Sequence, residues 1–181
     1  MEKKRNNLKS KYRLPMEELT KASIKELEDR GVTIDDIAEI VKKLQESYIE
    51  GLSIEFCRYS VMKVLEKREV VNAVLTGIEL DRLAEQDLIR EPILSIIKSD
   101  EGLYGIDEIL PLSITNLYGS IGLTNFGYLD KEKIGIIKKL DEAKDGTVNT
   151  FLDDIVAALA AAAASRIAHS NRDPRLTSYE D

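Results

Sequence analysis

Seven carboxylates set the chemical question. Asp100, Asp107, Glu108, Asp130, Asp141, Asp153 and Asp154 fall within 55 consecutive positions of a 181-residue chain. They stand beside Leu, Tyr and Ile rather than on a separate polar face. Carboxylates gathered in a low-dielectric pocket repel one another and hold their protons more tightly. A divalent cation removes that penalty, and an all-oxygen donor set favours Mg²⁺ or Mn²⁺ over zinc. Such an ion holds a phosphate oxygen, stabilises developing charge and activates water, which is the chemistry of phosphoryl groups.

The remaining inventory excludes the common alternatives. The single histidine, His169, lies at the far end of the last helical stretch, where it suits capping of C-terminal carbonyls better than base catalysis. No G-x-S-x-G turn accompanies it, so a serine triad has no support. Cys57 is followed by Arg58 and not by a glycine-rich phosphate loop, and one Cys with one His does not make a structural zinc site. Neither G-x-x-x-x-G-K-[ST] nor G-x-G-x-x-G occurs.

The elements that must position the carboxylates read as helices throughout. The stretch TFLDDIVAALAAAAASRIAH, Thr150 to His169, has no breaker, and a helix this apolar on nearly every side belongs in the core. Thr150 with Asp153 three residues on reads as its N-cap, which leaves Asp153 and Asp154 at its mouth. Acids in a first turn are favoured by the helix dipole, so on its own this pair fits capping as well as metal binding. Upstream, Pro15 suits the first turn of a helix running to about Arg30 and closed by Gly31. Thr33 with Asp36 opens the next, in which Ile34, Ile37, Val41, Leu44 and Tyr48 recur at helical spacing up to Gly51. Ser53 starts a third helix towards Lys67, and Val70 to Leu88 continues the pattern with a weak point at Gly77. Glu91-Pro92 starts a short helix through Ile97.

After Ser99 glycines become frequent, and DEGLYGIDEILPL mixes Asp100, Asp107 and Glu108 with apolar residues. Pro111 near the start of a helix would leave Asp107 and Glu108 around its first turn. Taken as one helix, YLDKEKIGIIKKLDE would place Asp130, Lys133, Ile137 and Asp141 on one stripe, which suits a half-buried polar pocket. The expected architecture is all-α: a single-domain bundle of about seven or eight helices over residues 15–169, with a buried Ala-rich C-terminal helix, a flexible basic arm over 1–14 and a flexible tail over 170–181.

Charge and composition bound the partners. A net charge of -7 with no dense basic patch argues against nucleic acid. The single Cys57 forms no intramolecular disulfide and fits a reducing compartment, where a Cys in an apolar stripe packs as a small core residue. The N-terminus lacks an apolar region behind its charges, and the longest apolar run, Ile155 to Ala164, is ten residues against the ~20 that a span needs. A cytoplasmic location is expected, with peripheral contact at a membrane through the basic arm Lys3 to Arg13 as an open alternative. The amphipathic N-terminal helices carry more apolar stripe than a small bundle needs, so a homo-oligomer is expected.

Three motifs then resemble one family in its own order. They are D-x-G-x-x-x-x-D-E (Asp100, Gly102, Asp107, Glu108), L-D-x-x-K-x-x-x-I-x-x-x-D (Leu129, Asp130, Lys133, Ile137, Asp141) and D-D-I-V-A (Asp153 to Ala157). Together, over roughly Asp100 to Ala158, they are similar to the phosphatidylglycerophosphatase A family, Mg²⁺-dependent lipid phosphatases. Membrane members have several hydrophobic spans and a glycine-threonine-rich motif near the N-terminus. This chain has neither, and Ile134 and Ile136 replace prolines usual after the lysine. It looks like the soluble branch, some members of which carry a low-temperature-requirement name.

The resemblance implies a Mg²⁺-dependent phosphomonoester hydrolase (Mn²⁺ being the other candidate ion) acting on phosphatidylglycerophosphate or a related phosphate ester, at a membrane surface if that ester is a lipid. It implies that Asp100, Asp107, Asp153 and Asp154 hold metal and that Lys133 binds phosphate. Glu108, Asp130 or Asp141 would then orient or deprotonate water. The competing expectation is a non-catalytic, cation-binding helical interaction or regulatory protein of the same fold.

Overall fold

The computed structural model describes residues 13–143 and 146–170. The basic arm and the tail therefore lie outside the described residues, apart from Arg13, Leu14 and Ser170. Nine α-helices follow one another among the described residues, seven of them with ten or more residues. They are α1 (Met16–Asp29), α2 (Ile34–Gln45), α3 (Ile54–Leu65), α4 (Arg68–Glu85), α5 (Ile93–Lys98), α6 (Ile106–Thr115), α7 (Gly119–Glu132), α8 (Ile136–Asp141) and α9 (Leu152–Ala168). A 3₁₀ turn, Asn116–Tyr118, joins α6 to α7, and no strand occurs among the described residues. The all-α bundle expected from the periodicity is the fold that forms.

Local signals account for much of the first half. Gly31, at φ +78°, ends α1 in the left-handed region that a side chain resists. At the start of α2 the Thr33 hydroxyl accepts from the Asp36 N–H while the Asp36 carboxylate accepts from the Thr33 N–H, a complete capping box. Ser53 caps α3 by accepting from the Phe56 N–H. Two expectations need correction. The second helix stops at Gln45, so Tyr48 leaves the apolar stripe for the following turn and is 82% exposed. Gly77 is no weak point: α4 runs through it, because a Cβ there would meet Ile155 Cδ1 at 2.2 Å and Phe151 Cβ at 3.1 Å. The glycine lets α4 approach α9.

Helix α9 is the axis of the bundle. It packs against α2, α3, α4, α6, α7 and α8, and every residue from Leu152 to Ser165 is buried. Six helices can reach one another only across side chains as small as alanine, so the Ala run sets the packing distance. Cys57 lies in this core at 0% exposure, and burial pushes its thiol up to about 12, which makes it inert.

The start of α9 departs from the expected cap. Thr150 donates its hydroxyl to the Ile97 carbonyl and does not cap the helix. The capping acceptor is Asp81 of α4, whose fully buried carboxylate takes the N–H groups of Phe151 and Leu152 at 3.0–3.3 Å. A residue distant in sequence thus supplies what a local Ser or Thr usually supplies. The preceding loop is fastened as well. Arg30 pairs with Glu85 at 2.7 Å and donates to the Val148 carbonyl and Asn149 Oδ1, while Glu85 accepts from the Val148 N–H.

Two consequences can be measured. Burial, partly offset by the Phe151 N–H and Arg30, pushes Asp81 up to about 8, above its unfolded value near 3.8. The folded state holds that proton more tightly, so stability is lost as pH rises between those values. Asp81→Asn should flatten that part of a denaturant-midpoint profile against pH. Asp81→Ala, which leaves two N–H groups without an acceptor, should lose about 1–2 kcal/mol at all pH. Gly77→Ala gains at most about 1 kcal/mol of helix propensity. The clash with fully buried Ile155 costs about 1–3 kcal/mol, so a net fall in urea midpoint is expected.

Candidate functional site

The segment expected to be one helix is two. Helix α7 stops at Glu132, Lys133 takes a left-handed conformation (φ +44°), Gly135 follows at φ +62°, and α8 begins at Ile136. The helical stripe therefore does not exist, and the reason given for grouping Asp130, Lys133 and Asp141 fails. The break brings them together by another route. It turns Lys133 back over the mouth of α9, where its ammonium lies 2.7 Å from Asp153, 3.1 Å from Asp130, 3.5 Å from Asp154 and 3.9 Å from Asp141.

Asp153 and Asp154, with side chains only 9% and 6% exposed, are the buried pair of this group. One Asp153 oxygen accepts from Lys133 and the other from the Asp154 N–H at 2.9 Å. Asp154 Oδ1 is buried and has no hydrogen-bond partner. Burial pushes both carboxyls up, Asp153 opposed by Lys133 and Asp154 pushed further by Asp153 itself. The lysine is raised as well, for the opposite reason: burial works against it, and Asp153, Asp154 and Asp130 outweigh burial and hold the ammonium far above the usual range.

Helices α5 and α6 add the next two acids. Asp107 sits in the first turn of α6, as expected, and its Oδ1 is likewise buried without a hydrogen-bond partner. Pro111 lies inside that helix rather than near its start. Asp100, after α5 at φ +48°, is raised by burial and by Asp107, against the pull of Lys133. A cavity of about 140 Å³ opens here, lined among others by Asp100, Asp141, Asp153, Asn149 and Thr150. Glu108, the next residue of the same first turn, is the outlier: it is exposed and makes no ion pair with Lys133.

Sequence reasoning missed Asn149 and Thr150, which line the cavity, and Asp81, Arg30 and Glu85, which fasten the loop beneath it. Asp81 had a signal: an acid on the stripe Val74, Ile78, Asp81, Ala84 demands an internal partner. Asn149 had none, being a polar residue in a polar loop, and Thr150 was legible only as a helix cap.

The donor chemistry fits a hard divalent cation. All the groups are carboxylates; Asp107 Oδ1 is buried without a partner, and Asp154 Oδ1 has the Lys133 ammonium at 3.5 Å but no hydrogen bond. In the geometry described, the compensating cation is the Lys133 ammonium, and among the described residues no three His, Cys, Asp or Glu side chains are gathered to ligand distance.

Carboxylates thus line a buried helix mouth that is faced by one lysine and lies beside a small polar cavity. The family model described as phosphatidylglycerophosphatase A matches residues 45–169, and the chain belongs to that family. YpjQ of Bacillus subtilis strain 168 is 67% identical over 147 residues, 81% of this chain and 82% of YpjQ. YutG of the same organism is 55% identical over 157 residues, 87% of this chain and 93% of YutG. The crystal structure of YpjQ superposes with a TM-score of 0.83, covering 86% of this chain and 96% of that one. The low temperature requirement C protein of Listeria monocytogenes, 59% identical, superposes with a TM-score of 0.81 over 83% and 95% of the two chains. No helix among the described residues is long and apolar enough to cross a membrane.

Removing the lysine tests this electrostatic arrangement. Lys133→Met leaves Asp153 and Asp154 buried without their cation and should lower stability by about 2 kcal/mol or more above neutral pH. The loss should shrink as the pH falls and the two carboxyls take up protons, read from denaturant midpoints against pH.

Proposed function

We propose that this protein is a Mg²⁺-dependent phosphomonoester hydrolase, with phosphatidylglycerophosphate or a closely related phosphate ester as substrate. The observation that carries the reading is the buried carboxylate oxygen of Asp107 that has no partner, set beside the buried Asp153–Asp154 pair and a lysine held charged at the mouth of α9. A buried carboxylate oxygen without a donor is unfavourable by about 1–3 kcal/mol, and a metal ion supplies what it lacks. Asp100, Asp107, Asp153 and Asp154 would hold the ion, which when bound polarises a phosphoryl oxygen and lowers the pKa of water. Lys133 would pair with the phosphate, leaving Asp153 for it. Asp130 and Asp141, both more than a third exposed, face the lysine from the solvent side and can orient or deprotonate the attacking water. Glu108, pointing outward, is the least favoured of the three proposed base candidates.

The surroundings favour a substrate with an apolar portion. Leu103, Ile106 and Ile109 flank Asp107 and are 94%, 51% and 60% exposed, an apolar surface that a polar substrate has no use for.

A second reading has its own support. Lys133 already compensates four carboxylates, so the cluster can serve as a built-in ion-pair network in a non-catalytic helical protein.

Phosphate release from phosphatidylglycerophosphate and from a panel of soluble phosphomonoesters, with Mg²⁺ and after chelation, separates the two. Hydrolysis is expected with metal only. Asp154→Asn should reduce kcat at least about 100-fold with its helical circular dichroism unchanged. Absence of turnover on every substrate, with Mg²⁺ present, removes the enzyme reading and leaves the second.

A further inference from the structure

The opposite end of α9 carries a second feature that the carboxylate site does not use. A cavity of about 500 Å³ lies between the last turn of α9, the residue preceding α4 and the 3₁₀ turn. It is lined by Lys67, Leu117, Tyr118, Ser165, Arg166 and His169, with Ser170 at its edge. In a chain with 33 acidic residues against 26 Lys and Arg, no carboxylate is among the described lining residues.

The cations here are positioned but not neutralised. Arg166 lies 5.0 Å above the Tyr59 ring and spends one N–H on Ser60 Oγ at 3.1 Å. The Lys67 ammonium lies 4.7 Å from the centre of the Tyr118 ring. Aromatic faces hold a cation without cancelling its charge. Neither residue forms an ion pair with a carboxylate among the described residues. His169 places Nδ1 2.8 Å from the Ser165 carbonyl, and Ser165 is itself buried on the floor of the cavity. The hydroxyl of Tyr118 is buried and has no hydrogen-bond partner. Two fixed positive charges outweigh the half charge that the carbonyl end of a helix presents.

We propose that this cavity is a second binding site, for a soluble small molecule bearing a phosphate group. An ammonium, a guanidinium with N–H groups beyond the one given to Ser60, and an imidazole converge here, and a phosphate presents three oxygens to such a set. Leu117 provides an apolar wall for the organic part of the ligand. Ser165, buried and with its hydroxyl donated to the Tyr118 carbonyl, makes a recessed floor that favours a free ligand over a headgroup fixed in a bilayer. Arg166 is separated from Asp154 by the rise of α9 between them, about 18 Å at 1.5 Å per residue.

The chain's single histidine provides the readout. Its imidazole resonances should move saturably when inorganic phosphate or glycerol phosphate is titrated into metal-chelated protein. Sodium chloride at matched ionic strength should not reproduce the change. Asp154→Asn should behave as wild type, which keeps this site distinct from the carboxylate one. Lys67→Gln with Arg166→Gln should weaken binding at least about tenfold, the scale of one charge-assisted hydrogen bond. Lys67→Gln alone, at an exposed position, guards against a folding defect in the double variant. Imidazole signals that phosphate leaves unmoved overturn the proposal. So does binding by the double variant that is as tight as by the wild type, or a response produced only by phosphatidylglycerol vesicles.

Discussion

Two carboxylates buried at the start of a helix that is itself wholly buried create the constraint around which the rest is arranged. Asp153 and Asp154 have almost no solvent, and a charge in that position needs a compensating cation close by. Lys133 supplies it at 2.7 and 3.5 Å. To do so the chain must break between α7 and α8 and accept a left-handed lysine followed by Gly135 at φ +62°. The electrostatic demand of one helix mouth thus explains the interruption in another element. It also explains why Asp130 and Asp141, which flank that interruption, face the same ammonium.

The Ala-rich helix explains the position of everything else. Because its side chains are small, six helices reach it directly, and the acids on α6, α7 and α8 and at the end of α5 meet at its mouth. A wider axis would hold those helices apart and separate the carboxylates. The same close packing denies the mouth a local cap, and Asp81 provides one from across the interface with α4. Arg30 and Glu85 then fix the Val148–Asn149 backbone that forms the near wall of the cavity. Site and core are therefore not separable: the groups that terminate α9 also shape the pocket beside it.

The family match and the close superposition on YpjQ and the Listeria protein place the whole arrangement in a fold shared by several bacterial chains. In this chain the two ends of α9 have opposite character. One gathers six acids and a lysine; the other presents Lys67, Arg166 and His169 with no acid among the described residues that line it. A single buried helix separates a negative pole from a positive one within a chain of net charge -7.

What the sequence determined by itself was whatever depends on near neighbours. Helical periodicity, the Thr33–Asp36 box, the Ser53 cap and the breaker at Gly31 act within a few residues, so all-α architecture and most helix starts could be read directly. The buried status of the Ala run followed from its lack of a polar face, and the acids near Asp107 and Asp153 were visible because they interrupt apolar surroundings. Tertiary structure alone decided how those acids are compensated. No spacing rule reveals that Lys133 turns back over Asp153, that Asp81 caps a helix 70 residues later, or that Glu108 points outward while Asp107 points in. Such choices are settled by desolvation and by distances between separate helices, and those quantities exist only once the chain has folded.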